Sequence, residues 1–231
     1  SIDHELKISG EEFVYLDITH KDPKEVMSHF PNIYKKCLSI GIDLTKDMIP
    51  VVPAAHYCCG GIKVNLNGES SIRRLYALGE ASSTGLHGGN RLASNSMMEA
   101  AVYADAAARH AISVIDSIEL QRDIPAWDYE GTAVPEEMAL ITQDYKEMQQ
   151  IMTNYVGIVR SDVRLERAKR RLEIIFKETE ELYLQSTLSQ HLCELRNMIA
   201  VGYLIIKQAE ARHESVGLHY SIDYPAKPVE I

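Results

Sequence analysis

The sequence predicts a mixed α+β chain that ends in an antiparallel bundle of three helices, and three observations carry that prediction. Strand signals stand at Phe13 to Ile18 and again from Gly61 to Gly79. An alanine-rich stretch opening at Asn95 follows a loop of small residues. Beyond Trp127, apolar residues recur at intervals of three and four, the period of helices that bury one stripe. At 231 residues, with 45% hydrophobic and 25% charged content, the chain has material for one large domain or two small ones.

The elements follow in order. FVYLDI, at residues 13–18, is β-branched and aromatic enough for a short buried strand. Asp22, Pro23 and Glu25 have the pattern of an N-cap, a first-turn proline and a first-turn acid, so a helix begins there. Pro31 interrupts that helix or starts a second, which carries Ile33, Tyr34, Cys37, Leu38 and Ile40 before Gly41 ends it. From Gly61, IKVNL alternates apolar and polar residues, Asn67-Gly68 is a strong hairpin signal, and LYAL at 75–78 returns as a buried strand. A β-hairpin or small meander is predicted. ASSTGLHGG at 81–89 is loop, and Asn95 or Ser94 caps a helix running through Val102, Ala106, His110 and Val114.

The character changes after Ile124-Pro125, so a boundary is placed near Ala126. Met138, Ile141, Tyr145, Met148 and Met152 mark one helix, and Leu188, Leu192, Leu195, Ile199 and Ile206 mark another. Between them, residues 158–185 carry Val159, Val163, Leu172, Ile175, Phe176 and Leu182 amid dense charge. Three such helices bury their stripes against one another as a bundle. The basic run Arg164, Arg167, Lys169, Arg170 and Arg171 is interleaved with Glu166 and Glu173, which reads as a solvated face rather than a nucleic-acid patch.

Composition narrows the function classes. A formal charge of -9 argues against general affinity for nucleic acid or anionic membrane. No stretch has the ~18 apolar residues of a membrane span, and the first residues lack a signal-peptide pattern, so a cytoplasmic protein is expected. Cys37, Cys58, Cys59 and Cys193 are too few and too irregular for a disulfide framework, and no metal site is expected from His56, Cys58 and Cys59; small buried thiols are the better reading.

The run from Pro53 to Glu99 concentrates the residues that could do chemistry. Arg91, in a glycine-rich loop before a helix, can grip a carboxylate with two parallel hydrogen bonds or cap loop carbonyls, two readings of equal weight. His56 can donate to a carboxylate or shuttle a proton, although a lone histidine is more often structural. Ser96 and Met97 occupy a helix start whose unpaired N–H groups favour an anion, as well as being ordinary first-turn residues. Glu80 stands after LYALG as an acceptor for ribose-type hydroxyls, or as a solvated acid. The strand, GxGxxG turn and helix that hold a dinucleotide pyrophosphate occur nowhere in the sequence.

Together, PAAHYCCGG, LYALGE, TGLHGGNRLASNSMMEA and SIDYP closely resemble the L-aspartate oxidase family, within the succinate dehydrogenase and fumarate reductase flavoprotein superfamily. The resemblance runs from Ile2 to Pro225. It implies the end of a capping domain over residues 1–55, the returning strands and helix of a Rossmann-type FAD domain over 56–125, and a helical bundle domain with tail over 126–231. It implies that His56 and Arg91 bind the substrate dicarboxylate, that Glu80 binds an FAD hydroxyl, and that Ser96 and Met97 present N–H groups to the isoalloxazine. The implied reaction oxidises L-aspartate to iminoaspartate, with oxygen or fumarate as electron acceptor and quinolinate synthase consuming the product. The family's capping-domain arginine, its proton donor or acceptor, matches no residue here, and relatives usually have arginine where this chain has Val216. Opening at SIDHELK without an initiator methionine, the chain reads as the later part of a longer protein, inactive by itself. The alternatives are a fragment of a fumarate reductase or succinate dehydrogenase flavoprotein, and a non-catalytic helical interaction module.

Overall fold

The computed structural model describes residues 1–134 and 138–226. Among them are seven α-helices and three two-stranded sheets, and the chain divides into two compact units, Ser1–Ala54 and Ala55–Ile231.

The first unit holds α1 (Ile2–Ser9), β1 (Val14–Leu16), α2 (Pro23–His29), α3 (Pro31–Leu38) and β2 (Ile49–Val51), with β1 and β2 antiparallel. Asp22 caps α2 by accepting from the N–H groups of Lys24 and Glu25. Pro31 starts a second helix, because its fixed φ and missing N–H are tolerated only in a first turn. Val26, Cys37 and Leu44 form a small core. The predicted strand is present but not buried: Tyr15 is 59% exposed, because only one edge of β1 is paired and this small core covers neither it nor Leu16.

In the second unit, β3 (Ile62–Lys63) pairs in parallel with β4 (Ser82–Ser83), which corrects the predicted hairpin of IKVNL with LYAL. The reason is local. Asn65 accepts from the N–H groups of Asn67 and Glu69 and donates to the Glu69 carboxylate, closing an Asx-type turn around Asn67-Gly68. The chain then folds back within residues 68–77, where Glu69 pairs with Tyr76, and LYAL supplies only that bridge. Next come α4 (Asn95–Ile115) and the bundle of α5 (Met138–Tyr155), α6 (Asp162–Gln185) and α7 (Gln190–Ala211). Short links reverse the chain between successive helices, and Ser161 and Ser189 cap α6 and α7 by accepting from the N–H groups of Arg164 and Leu192.

The bundle core takes Ile141, Met148 and Ile151 from α5, Leu165, Ala168, Leu172 and Ile175 from α6, and Leu192, Leu195, Ile199 and Ile206 from α7. Two expected core residues of α6 fall off this stripe: Val163 is 70% exposed and Phe176 is also exposed, because the buried period runs 165, 168, 172, 175. Val159 lies in β5 (Val159–Arg160), which pairs in parallel with β6 (Tyr220–Ser221), and exposed Leu188 precedes α7. The basic run of α6 carries ion pairs with glutamates: Arg170 with Glu166, Arg171 with Glu147 and Lys169 with Glu210.

The tail contacts the start of α6 and the loop before α4. Tyr224 donates to Asp162, and Asp223 accepts from the Asp162 N–H at the start of α6. The Val216–Leu218 loop lies against the loop before α4: the Leu218 N–H donates to the Gly89 carbonyl at 2.9 Å.

Candidate functional site

The site begins at the start of α4. Ser94, with φ 71°, turns the chain into the helix, but neither it nor any neighbour supplies a side-chain cap. The Asn95 N–H donates to the Leu92 carbonyl at 3.3 Å, and no side chain caps the N–H groups that follow it, at the positive end of the helix dipole. Arg91 lies over this turn. Its Nη1 donates to Ser96 Oγ at 3.3 Å, and its guanidinium carbon sits 4.8 Å above the centre of the Tyr57 ring. Arg91 Nε is buried without a partner. A buried donor without an acceptor costs about 1–3 kcal/mol, which a ligand oxygen would recover.

Beneath Tyr57 is a buried polar cluster. The His87 ring stands edge-on to Tyr57, with centroids 5.3 Å apart, and its Nε2 lies 2.6 Å from Glu99 Oε2. The other Glu99 oxygen accepts from the Thr84 hydroxyl. The side chains of His87 and Glu99 are 8% and 1% exposed. Burial first, and then the carboxylates of Glu99 and Glu80, hold the Tyr57 phenol above its ordinary value against the pull of Arg91, so it stays protonated at neutral pH.

The sequence-predicted residues distribute as follows. Arg91 and Ser96 are brought together. Glu80 does not end a strand; it lies in a single 3-10 turn over Gly79–Ala81, where its Oε1 accepts from the Cys58 N–H at 3.0 Å and ties that turn to the AAHYCC segment. His56 is exposed and has no polar partner among the described residues. Met97 is 79% exposed on the outer side of the α4 start. Cys58 is exposed and Cys59 half-buried with φ 53°, which corrects the expectation of small buried thiols; an extended segment ending in a left-handed turn has little packing on either side.

Tyr57, Thr84, His87 and Glu99 escaped the sequence reading. His87 sits in a stretch whose glycines signal only loop, and Glu99 lies one turn inside a helix where acids are ordinarily solvated. The one available signal is spacing: Ser96 and Glu99, three apart, share a face of α4.

Comparison with known proteins gives this site a context. The FAD binding domain family matches residues 1–97, and the fumarate reductase flavoprotein C-terminal family matches residues 145–228. L-aspartate oxidase of Yersinia pestis is 48% identical over 97% of this chain, and that of Vibrio cholerae is 44% identical over 100%. The chain spans 42% and 43% of those two proteins. Among solved structures, the apo Sdh1 complex of Mycobacterium smegmatis superposes with a TM-score of 0.79 at 28% identity, covering 97% of this chain and 41% of that one.

Proposed function

This chain belongs to the succinate dehydrogenase and fumarate reductase flavoprotein superfamily, and we propose that it is the part of an L-aspartate oxidase that forms one wall of the flavin and substrate site. The observation that carries the proposal is the Arg91 guanidinium held beside the uncapped start of α4. The identities of 44–48% to L-aspartate oxidases favour that activity over a succinate dehydrogenase or fumarate reductase. A non-catalytic helical module would have no use for this site.

The residues present fit FAD. The first-turn N–H groups at Ser96 and Met97 suit the anion-bearing edge of an isoalloxazine, and exposed Met97 and Met98 offer it apolar surface. Glu80 keeps one carboxylate oxygen for a cofactor hydroxyl while the other accepts from Cys58. When bound, FAD supplies the two-electron oxidation that converts L-aspartate to iminoaspartate. Arg91 grips a substrate carboxylate through its planar fork, and its buried Nε–H gains an acceptor when it does. His56, exposed one residue before Tyr57, donates to the second carboxylate. Holding the dicarboxylate at both ends fixes the α-carbon and converts binding energy into orientation.

In this reading residues 1–55 end a capping domain, 56–125 return to a Rossmann-type FAD domain and 126–231 form the helical domain. The division at Ala54–Ala55 supports the first boundary. Oxygen or fumarate takes the electrons, and quinolinate synthase consumes the product. No helix among the described residues is long and apolar enough to cross a membrane, in keeping with a cytoplasmic location.

The test is Arg91→Leu in the full-length protein. Loss of two charge-assisted hydrogen bonds lowers kcat/KM for L-aspartate by about 100-fold or more, with FAD content unchanged. Steady-state kinetics equal to the parent would end the proposal.

A further inference from the structure

Glu99 is the most deeply buried carboxylate at the site, and no contact with substrate or flavin is assigned to it. It is fully used inside the protein: one oxygen accepts from Thr84 and the other lies 2.6 Å from His87 Nε2. A buried carboxylate costs several kcal/mol to desolvate, so a pair of this kind must return something in packing or geometry. What it returns is visible in the contacts. His87 stands edge-on against Tyr57, the Tyr57 ring lies under the Arg91 guanidinium carbon, and Arg91 reaches Ser96. Glu99 and Ser96 both belong to α4, so the loop from Thr84 to Arg91 is fastened to one helix at two points a turn apart.

We propose that His87 and Glu99 are positioning residues for Arg91, acting through Tyr57 to set the guanidinium where it meets a carboxylate of the ligand. An arginine carries about 2 kcal/mol of rotamer entropy, much of it lost whenever a ligand must order the side chain. A seat built beforehand from Tyr57, His87 and Glu99 lowers that cost. The inference rests on Arg91 being the carboxylate-binding group, and the experiment separates the two claims.

His87→Leu, His87→Gln and Glu99→Gln are prepared in the full-length protein with FAD bound. The first readout needs no ligand: exchange of the Arg91 Nε–H with water, followed by NMR on nitrogen-15 arginine and identified by its loss in Arg91→Leu. The second is the dissociation constant of succinate, a plain dicarboxylate, from the change in flavin absorbance. His87→Leu speeds the exchange and weakens succinate about tenfold each with FAD content unchanged, while His87→Gln, which keeps a donor to Glu99, returns both to within about threefold of the parent. Glu99→Gln, close in volume but uncharged, moves both in the same direction as His87→Leu and decides the matter should His87→Leu fail to fold. Exchange and succinate affinity within twofold of the parent in the folded variants would overturn the proposal, as would loss of FAD with Arg91 exchange unchanged. If the parent itself binds no succinate, the assignment of Arg91 to a carboxylate falls, and the exchange rates alone still decide whether His87 and Glu99 hold it.

Discussion

Arg91 shows how little of a site one residue contains. Its fork is useful because Tyr57 supports it from below, Ser96 fixes Nη1 and Nε is left with an unmet donor. A second histidine is used in another way. His219 is buried, accepts at Nδ1 from Arg160 at 2.9 Å and donates from Nε2 to the Arg212 carbonyl at 3.2 Å, which fixes the neutral tautomer. Burial first, and then the Arg160 charge, hold its pKa below the ordinary value of 6.5; the hydrogen bond to the Arg212 carbonyl and the Glu214 carboxylate oppose that, and the Arg212 charge adds a smaller depression. Because the unfolded chain takes up this proton before the folded one, the contribution to stability is complete above about pH 6.5 and declines as the pH falls below that. Thermal melts between pH 7.5 and 5.5 should therefore fall more steeply for the parent than for His219→Gln, which cannot titrate; parallel curves would refute the account. At this scale the sequence exposed Arg91 and Ser96 through residue type and position. It hid His87 and Glu99, because burial of a polar pair depends on what the fold stacks over it and leaves no mark in the local pattern.

Among the elements, α4 and the loop before it carry the site, and the far end of the chain holds that loop in place. Gly217 has φ +58°, and a Cβ on it would lie 2.1 Å from the Gly89 carbonyl oxygen, two residues before Arg91. Backbone faces backbone there, so neither side can yield by a rotamer change. Gly217→Ala is expected to destabilise the protein by about 1 kcal/mol for the left-handed backbone alone, and by more for the separation of the two loops. Gly131→Ala, with φ +81° and open space around its Cβ, carries the first cost without the second. Thermal melting that matches in the two variants would show that the Gly89 junction contributes nothing, whereas a larger loss at Gly217, with weakened succinate binding, is the expected result. The same contact places Val216 beside the loop: its Cγ1 lies 3.2 Å from where a Gly89 Cβ would stand. Helix periods were legible throughout, since a stripe at three and four is written in the chain itself. Strand partners were not: IKVNL looked bound for LYAL, and the Asn65 side chain turned it aside.

For the whole molecule, the chain spans about two-fifths of the L-aspartate oxidases it matches, and the start of α4 presents exposed Met97, Met98 and Val102. These 231 residues contain no GxGxxG turn, so on the proposed reading they would offer FAD the ring and hydroxyl contacts of one wall without a pyrophosphate cradle. This chain alone should hold FAD with a Kd of about 1 mM or weaker, while the full-length protein keeps it through gel filtration. Micromolar binding by the chain alone, read by flavin fluorescence, would contradict the one-wall description. The sequence by itself determined the helical bundle, the capping of α2, the family and the place of Arg91, because periodicity, caps and motifs are local and survive without neighbours. Only the tertiary structure decided which strands pair, that Gly217 pins the Gly89 loop, and that the Pro53–Glu99 run hides a carboxylate and a histidine beneath its arginine. Those facts depend on which segments meet in space, from the twelve positions between His87 and Glu99 to the 128 between Gly89 and Gly217, and no residue pattern within one segment records its contact with another.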